Sequence, residues 1–269
     1  MLPLNIIVCI KWVPNTQIVN IDPNTGTLIR EGVPSIINPH DLNAVEMALR
    51  LKEKYGGVVT AVSMAPMSAK TGLEFVIGMG VDRAILVSDR VFAGADTLAT
   101  SYTLSKVIEK LRPFDILIFG QETIDSSTAH IGAQTASWLR VPYLYYVVDV
   151  EYINGVVRAT RRLEKKIEVY ELPTPCLLAV AMKSNEPRPV KLSHKLRAKM
   201  ENVIEVWTNN EVGLKRECIG LRGSPTVVEK CIVTPSVPRK KQRFDGQDVR
   251  EAVKWLVDRL IEDEGLKII

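Results

Sequence analysis

The sequence predicts an α/β protein with a parallel, doubly wound sheet, an antiparallel strand extension and a C-terminal helical arm. Over the first 140 residues, short apolar runs alternate with helical patterns, which is typical of a parallel sheet covered by helices on both faces. After Pro142, strand patterns follow one another without helices between them, and a patterned helix lies near the end of the chain. These patterns predict one α/β domain over 1–234, followed by a linker and helical arm over 235–269.

Composition indicates a globular, soluble chain. With 46% hydrophobic residues among 269, the chain can bury a full core. A net charge of +4 gives no case for nucleic acid or a membrane surface as the main partner. The N-terminus lacks a secretory signal pattern, and no uncharged run approaches the ~18 residues of a membrane span. We therefore expect a cytoplasmic protein without direct membrane insertion, associated with membranes only through partner subunits.

The cysteines and histidines do not form a metal-binding pattern. Four cysteines lie far apart without a paired Cys-x-x-Cys spacing, and the chain has three histidines. We expect reduced thiols and no metal.

Four βα units form the centre of the predicted sheet. Strands are predicted over 5–10, 58–63, 83–88 and 115–119, because each run is too short and too evenly apolar for a helix.

Three helices are predicted between these strands, and a fourth after them. The first begins with Asn38 as its cap, Pro39 at the first helical position and Asp41 three residues after the cap, and it ends before Gly56. The others are predicted, in chain order, over 68–79, 96–111 and 134–139.

The second half of the domain reads as strands and a basic segment. Strands are predicted over 145–153, 156–163, 167–171 and 176–181, as an antiparallel extension of the same sheet. Residues 185–202 form a basic loop or short helix that is expected to project from the body.

The last part of the chain is predicted to be a linker and an amphipathic helix. A proline-flanked basic linker over 235–243 precedes a helix over 246–264. The apolar face of this helix is expected either to return to its own domain or to dock on another subunit. Five residues make up this face: Val249, Val253, Leu256, Val257 and Leu260.

Residues 120–132 resemble a nucleotide-phosphate site. A buried strand that ends at Gly120 leads through Ser126, Ser127 and Thr128 into a helix start, where backbone N–H groups and the helix dipole favour an anion. The stretch is neither a Walker loop nor a Gly-x-Gly-x-x-Gly fingerprint. The simpler interpretation is a strand-to-helix turn capped by Asp125 or Ser126.

Other polar groups fall at the same predicted rim, because parallel sheets bind ligands beyond the carboxyl ends of their strands. Lys11 follows the first strand, 38–41 opens the first helix, 63–66 follows the second strand and 94–97 opens the third helix. Together they predict a nucleotide-binding sheet. Taken singly, each has a simpler interpretation, in which Lys11 is a solvated charge and Asn38, Asp41 and the Asp96–Thr97 pair only cap helices.

The sequence gives no sign of nucleophilic or acid–base catalysis. The hydroxyl-rich stretch has only His130 nearby, and no Ser/His/Asp arrangement can be assembled. We predict no catalytic side chain. If a reaction occurs at this site, the bound cofactor is expected to carry it.

Four segments in order along the chain resemble the beta subunit of electron transfer flavoprotein: 8–13, 38–49, 124–135 and 185–188. The resemblance implies an adenine-nucleotide-binding α/β domain paired with an alpha subunit that carries its own FAD. It also implies a partner-recognition loop over 185–202, in which Leu192 matches the leucine that anchors on dehydrogenases. Glu168 matches an acidic residue that governs domain position.

From this resemblance and from the predicted rim, we assign a set of candidate cofactor-binding residues. They are Cys9, Lys11, Asn38, Pro39, His40, Asp41, Ser63, Met64, Asp96, Thr97, Asp125, Ser126, Ser127, Thr128, Ala129, His130, Ile131, Gly132, Ala133, Gln134 and Thr135.

Residues 88–104 are similar to a stretch of bifurcating family members, whose beta subunit holds a second FAD. This similarity implies that FAD takes electrons from NADH and divides them between a high- and a low-potential acceptor, with dehydrogenase, ferredoxin or quinone-reducing proteins as partners. A second helix start at Asp96 and Thr97 is expected to supply N–H donors for the larger dinucleotide. The complex would then be an NADH-dependent flavin oxidoreductase.

Two alternatives stay open. One is a non-bifurcating electron carrier that binds AMP and docks dehydrogenases. The other, from a different class, is a free-standing ATP-binding or adenylating domain, against which stands the lack of a Gly-rich Ser-Gly-Gly loop.

Overall fold

The structure is a computed structural model that describes five stretches of the chain: residues 3–15, 20–21, 28–29, 34–227 and 241–264. The chain divides into two compact units, Met1–Cys231 and Ile232–Ile269. The described residues form thirteen strands: β1 (Leu4–Cys9), β2 (Trp12–Pro14), β3 (Asn20–Ile21), β4 (Leu28–Ile29), β5 (Ser35–Ile37), β6 (Gly57–Met64), β7 (Arg83–Val87), β8 (Ile116–Gly120), β9 (Tyr143–Ile153), β10 (Val156–Arg162), β11 (Ile167–Pro173), β12 (Cys176–Val180) and β13 (Ile204–Trp207). They also form seven α-helices: α1 (Pro39–Tyr55), α2 (Lys70–Met79), α3 (Thr97–Lys110), α4 (Ile131–Leu139), α5 (Leu192–Met200), α6 (Asn209–Val212) and α7 (Val249–Glu264).

Nine of the described strands make one sheet in the order β11-β10-β9-β12-β8-β1-β6-β7-β13. From β9 through β12, β8, β1, β6 and β7 to β13, every neighbouring pair is parallel. Strands β9, β10 and β11 form an antiparallel ribbon at one edge. The predicted α/β fold with a parallel centre and an antiparallel extension is confirmed.

The sheet is doubly wound around β1. Helices α1 and α2 pack on the face that carries Ile6 and Val8, while α3 and α4 pack on the opposite face with Ile7 and Cys9. The chain therefore leaves β1 toward β6 on one face and reaches β8, on the other side of β1, over the other face. Such a reversal opens a crevice beyond the carboxyl ends of the two strands. We call this space the crevice.

The position of strand β12 differs from the predicted topology. The sequence predicts it as part of the antiparallel extension, but it lies inside the sheet, parallel to β8 on one side and β9 on the other. All five of its residues are buried, since Leu178 faces one core layer and Leu177 the other. A continuous apolar run is typical of a parallel strand covered on both faces, whereas the ribbon strands alternate with exposed residues.

The segment 185–202 also differs from the prediction, because it packs on the domain rather than projecting from it. Val190 contacts Gly78 of α2, and the Lys191 N–H donates to the Gly78 carbonyl at 2.9 Å. Ala198 of α5 is buried, and Arg197 donates to the Val81 and Asp82 carbonyls between α2 and β7. The outer side of α5 remains exposed.

The second unit contains α7, which begins three residues later than predicted because Asp248 caps it through the Arg250 N–H. Val249, Val253 and Leu256 are exposed. The predicted linker over 235–243, up to residue 240, and the predicted domain boundary at 234 lie outside the described residues. Among the helices that the structure describes, none has the length and apolar character to cross a bilayer.

Candidate functional site

Asp41 joins the two loops that border the crevice. It lies in the first turn of α1, and its buried carboxylate accepts the Lys11 N–H at 2.8 Å and the Gly120 N–H at 3.2 Å. The carboxylate therefore joins the loop after β1 to the loop after β8. Burial raises the pKa of Asp41 to about 7, against the opposing effect of these two N–H groups and of Asn38.

Asn38 does not cap α1 with its side chain, contrary to the capping interpretation. Its amide donates to the Glu122 carbonyl at 2.8 Å and accepts the Ile124 N–H at 3.2 Å. Pro39 needs no cap, because it has no N–H at the first helical position. The start of α1 is thus fastened to the loop after β8 by one buried amide.

His40 carries a buried imidazole next to Asn38 in the chain. Its Nδ1 has no hydrogen-bond partner among the described residues, and its Nε2 lies 3.9 Å from Glu122 Oε1. Burial lowers the pKa of His40 below its usual 6.5, and the Glu122 carboxylate only partly offsets this effect. His40 is therefore neutral at pH 7 and offers both a donor and an acceptor nitrogen.

Gly120 is required by the closeness of α1. A Cβ at this position would lie 2.4 Å from Asp41 Oδ1 and 2.7 Å from the His40 carbonyl carbon. The sequence marked Gly120 as the end of a strand, but the reason for the glycine is tertiary and lies 79 residues away.

An ion pair crosses the crevice. Lys11 Nζ donates to both oxygens of Asp125, at 2.9 and 2.7 Å. Partial burial raises the pKa of Asp125, but the Lys11 ammonium and the Thr123 hydroxyl outweigh that effect and hold the pKa below its usual range. Lys11 is therefore more than a solvated charge, since it links the two loops that Asp41 also joins.

The loop that follows Asp125 has an unusual backbone. Ser127 and Ala129 adopt left-handed φ values of 48° and 54°, and the Ser127 N–H and hydroxyl both donate to the Thr123 carbonyl. Turns with left-handed residues form anion-binding concavities from successive N–H groups, although the Ser127 N–H is already occupied here. Ser126 and Thr128 are exposed on the same loop.

Helix α4 begins at Ile131, earlier than its predicted start, and neither Asp125 nor Ser126 caps it. The Tyr145 hydroxyl from β9 accepts the Ala133 N–H at 3.0 Å. A Cβ on Gly132 would lie 2.7 Å from that oxygen. Sequence reasoning missed Tyr145, because β9 and α4 meet only in the folded sheet.

Four buried side-chain atoms on residues that begin α1 and α4 or lie near the end of β6 have no hydrogen-bond partner within the described residues: His40 Nδ1, Ser63 Oγ, Gln134 Oε1 and Thr135 Oγ1. All belong to the predicted site. Leaving such atoms unpaired costs about 1–3 kcal/mol each, so native proteins keep few of them without a ligand or water. The buried Cys9 thiol, whose pKa burial raises, and the half-buried Met64 end β1 and β6 at the same rim.

Asp96 serves as the cap of α3, as its simpler interpretation predicts. Its Oδ1 accepts the Leu98 and Ala99 N–H groups at 3.0 Å, and its Oδ2 accepts the Thr226 hydroxyl. These two N–H groups are therefore occupied. Thr97 Oγ1 lies 3.4 Å from Gln134 Nε2, which links the starts of α3 and α4.

Two predicted partner-binding residues lie away from the crevice. Leu192 is 71% exposed on α5. Glu168 lies on β11, separated from β8 by three strands. The Lys166 ammonium and the Arg161 guanidinium lower the pKa of Glu168 to about 2, so it stays ionised.

Comparisons with known proteins identify the family of the chain. The model of the electron transfer flavoprotein domain matches residues 25–211, well over half of the chain. The chain is 42% identical to the electron transfer flavoprotein subunit beta of Clostridium acetobutylicum, over 97% of this chain and 99% of that protein.

Two further relatives carry other names. Subunit CarD of the caffeyl-CoA reductase-Etf complex of Acetobacterium woodii is 40% identical, over 96% of this chain and 98% of that protein. Protein FixA of Azotobacter vinelandii is 44% identical, over 90% of this chain and 88% of that protein. The chain belongs to the electron transfer flavoprotein family as a beta subunit, an electron-transfer protein that pairs with an alpha subunit in a heterodimer.

Proposed function

We propose that this chain is the flavin-binding beta subunit of a bifurcating electron transfer flavoprotein. FAD would lie in the crevice, accept hydride from NADH, and pass electrons singly to a high-potential and a low-potential acceptor. Ferredoxin, a dehydrogenase or a quinone-reducing protein would be the electron partners. The similarity of residues 88–104 to bifurcating members supports FAD in this subunit.

The observation that carries the proposal of a nucleotide site is the set of buried polar atoms of the predicted site that have no partner among the described residues. His40, Ser63, Gln134 and Thr135 supply donors and acceptors of the kind that fix an adenine ring and ribose. The loop with left-handed Ser127 and Ala129 and exposed Ser126 and Thr128 would hold the phosphate. The residues therefore fit an adenine nucleotide.

The chain's own part in the reaction would be to hold and orient the cofactor. Asp41 and Asn38 fix the two loops that border the crevice, and the Lys11–Asp125 pair crosses it. The flavin supplies the conversion of a two-electron donation into single-electron transfers. The C-terminal arm over 235–269 is proposed to pack on the alpha subunit, since α7 carries exposed Val249, Val253 and Leu256.

One observation favours the second candidate, a carrier with AMP in the crevice. Asp96 occupies the N–H groups of Leu98 and Ala99, which were expected to bind the rest of a larger dinucleotide. AMP needs no contact at α3. Family membership argues against the third candidate, a free-standing ATP-binding domain.

The deciding experiment is to purify the heterodimer with its alpha subunit and quantify the nucleotides released on denaturation. We expect two FAD per heterodimer, and flavin reduction on this subunit when NADH is added. One FAD with one AMP, and no NADH-driven reduction, would establish the second candidate instead.

The unpaired hydroxyl of Thr135 can be tested with a matched pair of variants. Thr135→Val removes a hydroxyl that has no hydrogen-bond partner among the described residues, so we expect nucleotide content to fall by about tenfold. Thr103→Val removes a hydroxyl that donates to the Ala99 carbonyl of its own helix and is equally buried, so nucleotide content should not change. Released nucleotide is measured on both purified heterodimers. Equal content in the two variants would contradict the assignment of Thr135.

A further inference from the structure

Helix α1 touches two regions that are far apart in sequence. Its first turn, with Asn38 and Asp41, holds the loops of the crevice. Its later turns hold residues 183–188, the segment between β12 and α5, through Asn43, Glu46 and Glu53. One helix therefore sets the position of both the crevice and the base of α5.

The first contact is a pair of asparagines. Asn43 Nδ2 donates to the Asn185 backbone carbonyl at 2.7 Å and to its side-chain oxygen at 2.9 Å. Asn185 Nδ2 donates back to the Asn43 carbonyl at 3.0 Å, and the Lys183 N–H donates to Asn43 Oδ1. Asn43 is buried, so its polar atoms are satisfied by this segment.

The second contact is an arginine between two glutamates. Arg188 donates its Nε to Glu46 Oε2 at 2.8 Å and its backbone N–H to the same oxygen at 3.1 Å, and it also pairs with Glu53. The Glu46 side chain is only 4% exposed. A planar guanidinium that serves two carboxylates fixes orientation as well as distance, which a lysine cannot match.

Residues 183–188, which α1 holds, lead into α5, and the outer side of α5 is exposed. Two residues after Arg188, Val190 packs on Gly78 and the chain enters the helix. Leu192, Leu196 and Met200 recur every four residues and are 71%, 48% and 84% exposed. They share one helix face, because residues four apart are neighbours on a helix.

We propose that Arg188, anchored by Glu46 and Glu53, is a positioning residue that fixes where α5 stands for the protein that exchanges electrons with the heterodimer. The inference rests on the proposed function, together with the family resemblance that makes 185–202 the loop that recognises an electron partner. Loss of the anchor changes the encounter with that partner and leaves cofactor binding intact, because the crevice contacts of α1 do not include Arg188.

The test compares Arg188→Ala and Arg188→Lys in the purified heterodimer. Arg158→Ala is the matched control, since Arg158 pairs with Glu171 at 2.8 Å on the exposed ribbon. Two acceptors are used, a flavin-dependent dehydrogenase as the protein and ferricyanide as a small molecule that needs no docking. Hydrogen exchange of residues 189–200 and nucleotide content are measured on the same samples.

For Arg188→Ala we expect KM for the dehydrogenase to rise about tenfold with kcat unchanged, and ferricyanide reduction and nucleotide content to stay at the wild-type level. Exchange of residues 189–200 should accelerate. The KM of Arg188→Lys should lie between those of Arg188→Ala and wild type, and the KM of Arg158→Ala should equal that of wild type.

An unchanged KM with unchanged exchange, or an equal loss with both acceptors, would overturn the inference. If Arg188→Ala fails to assemble, Glu53→Gln tests the exposed half of the anchor and should raise KM in the same direction. Absence of FAD from this subunit would remove the proposed function, while the exchange of residues 189–200 would still report on the anchor.

Discussion

Gly120→Ala is expected to destabilise the chain by about 3 kcal/mol and to abolish nucleotide retention. The added Cβ would enter the space of Asp41 Oδ1 at 2.4 Å and of the His40 backbone at 2.7 Å. Neither neighbour can move freely, since the carboxylate is buried and bonded to two N–H groups and His40 is in the first turn of α1. The substitution therefore separates the loops after β1 and β8.

The measurement is urea unfolding of the variant together with the nucleotide content of the heterodimer. Gly213→Ala is the control, because Gly213 has a left-handed φ of 76° but no atom within 4 Å of the added Cβ. It should cost about 1 kcal/mol and leave nucleotide content unchanged. Normal nucleotide retention in Gly120→Ala would show that the contact between the two loops is dispensable.

Asp41 should make stability fall as pH rises toward 7. Its folded pKa of about 7 lies above the 3.8 of an unperturbed aspartate, so the folded chain binds this proton more tightly than the unfolded chain. The resulting stabilisation is complete below pH 4 and is lost as pH rises through 7. One pKa unit corresponds to about 1.4 kcal/mol, so the total is on the order of 4 kcal/mol.

The measurement is the difference in unfolding free energy between wild type and Asp41→Asn, followed in urea from pH 5 to 8. This difference should decline by about 1.4 kcal/mol per pH unit up to pH 7 and then level off. His40 and Glu122, the titratable neighbours, are present in both proteins, as is Lys11. Parallel stability curves would mean that Asp41 is already ionised throughout this range.

The ionised carboxylate nevertheless has a structural role. The charged form accepts from the N–H groups of Lys11 and Gly120 more strongly than the protonated acid, whose hydroxyl oxygen is a weak acceptor. The chain thus gives up stability near neutral pH to hold the two loops of the crevice together.

The sequence predicted the strands of the parallel centre, because buried parallel strands are continuous apolar runs. It also predicted the loops of the site, because ligands of such sheets bind beyond the carboxyl ends of the strands. It failed where contacts join distant residues. Asn38 and Asp41 have the residue types and spacing of helix caps, and nothing local shows that they reach Glu122 and Gly120 instead.

Tyr145 and Arg188 escaped prediction for the same reason. Tyr145 lies in a strand pattern, and its contact with Ala133 depends on how β9 enters the sheet. Arg188 was noticed only as part of a family resemblance, while its role follows from Glu46, 142 residues away. A buried glutamate in the middle of a helix was the available signal, because such a charge requires a partner.

The position of β12 inside the sheet determines when the domain can finish folding during synthesis. Strand β8 pairs with β12, which leaves the ribosome only after β9, β10 and β11. Until then β8 has one open edge, and an apolar edge of this kind invites aggregation. A gene divided near Pro142, where the pattern of the sequence changes, should therefore yield two insoluble halves rather than two domains. The domain becomes complete only when its last interior strand has been synthesised.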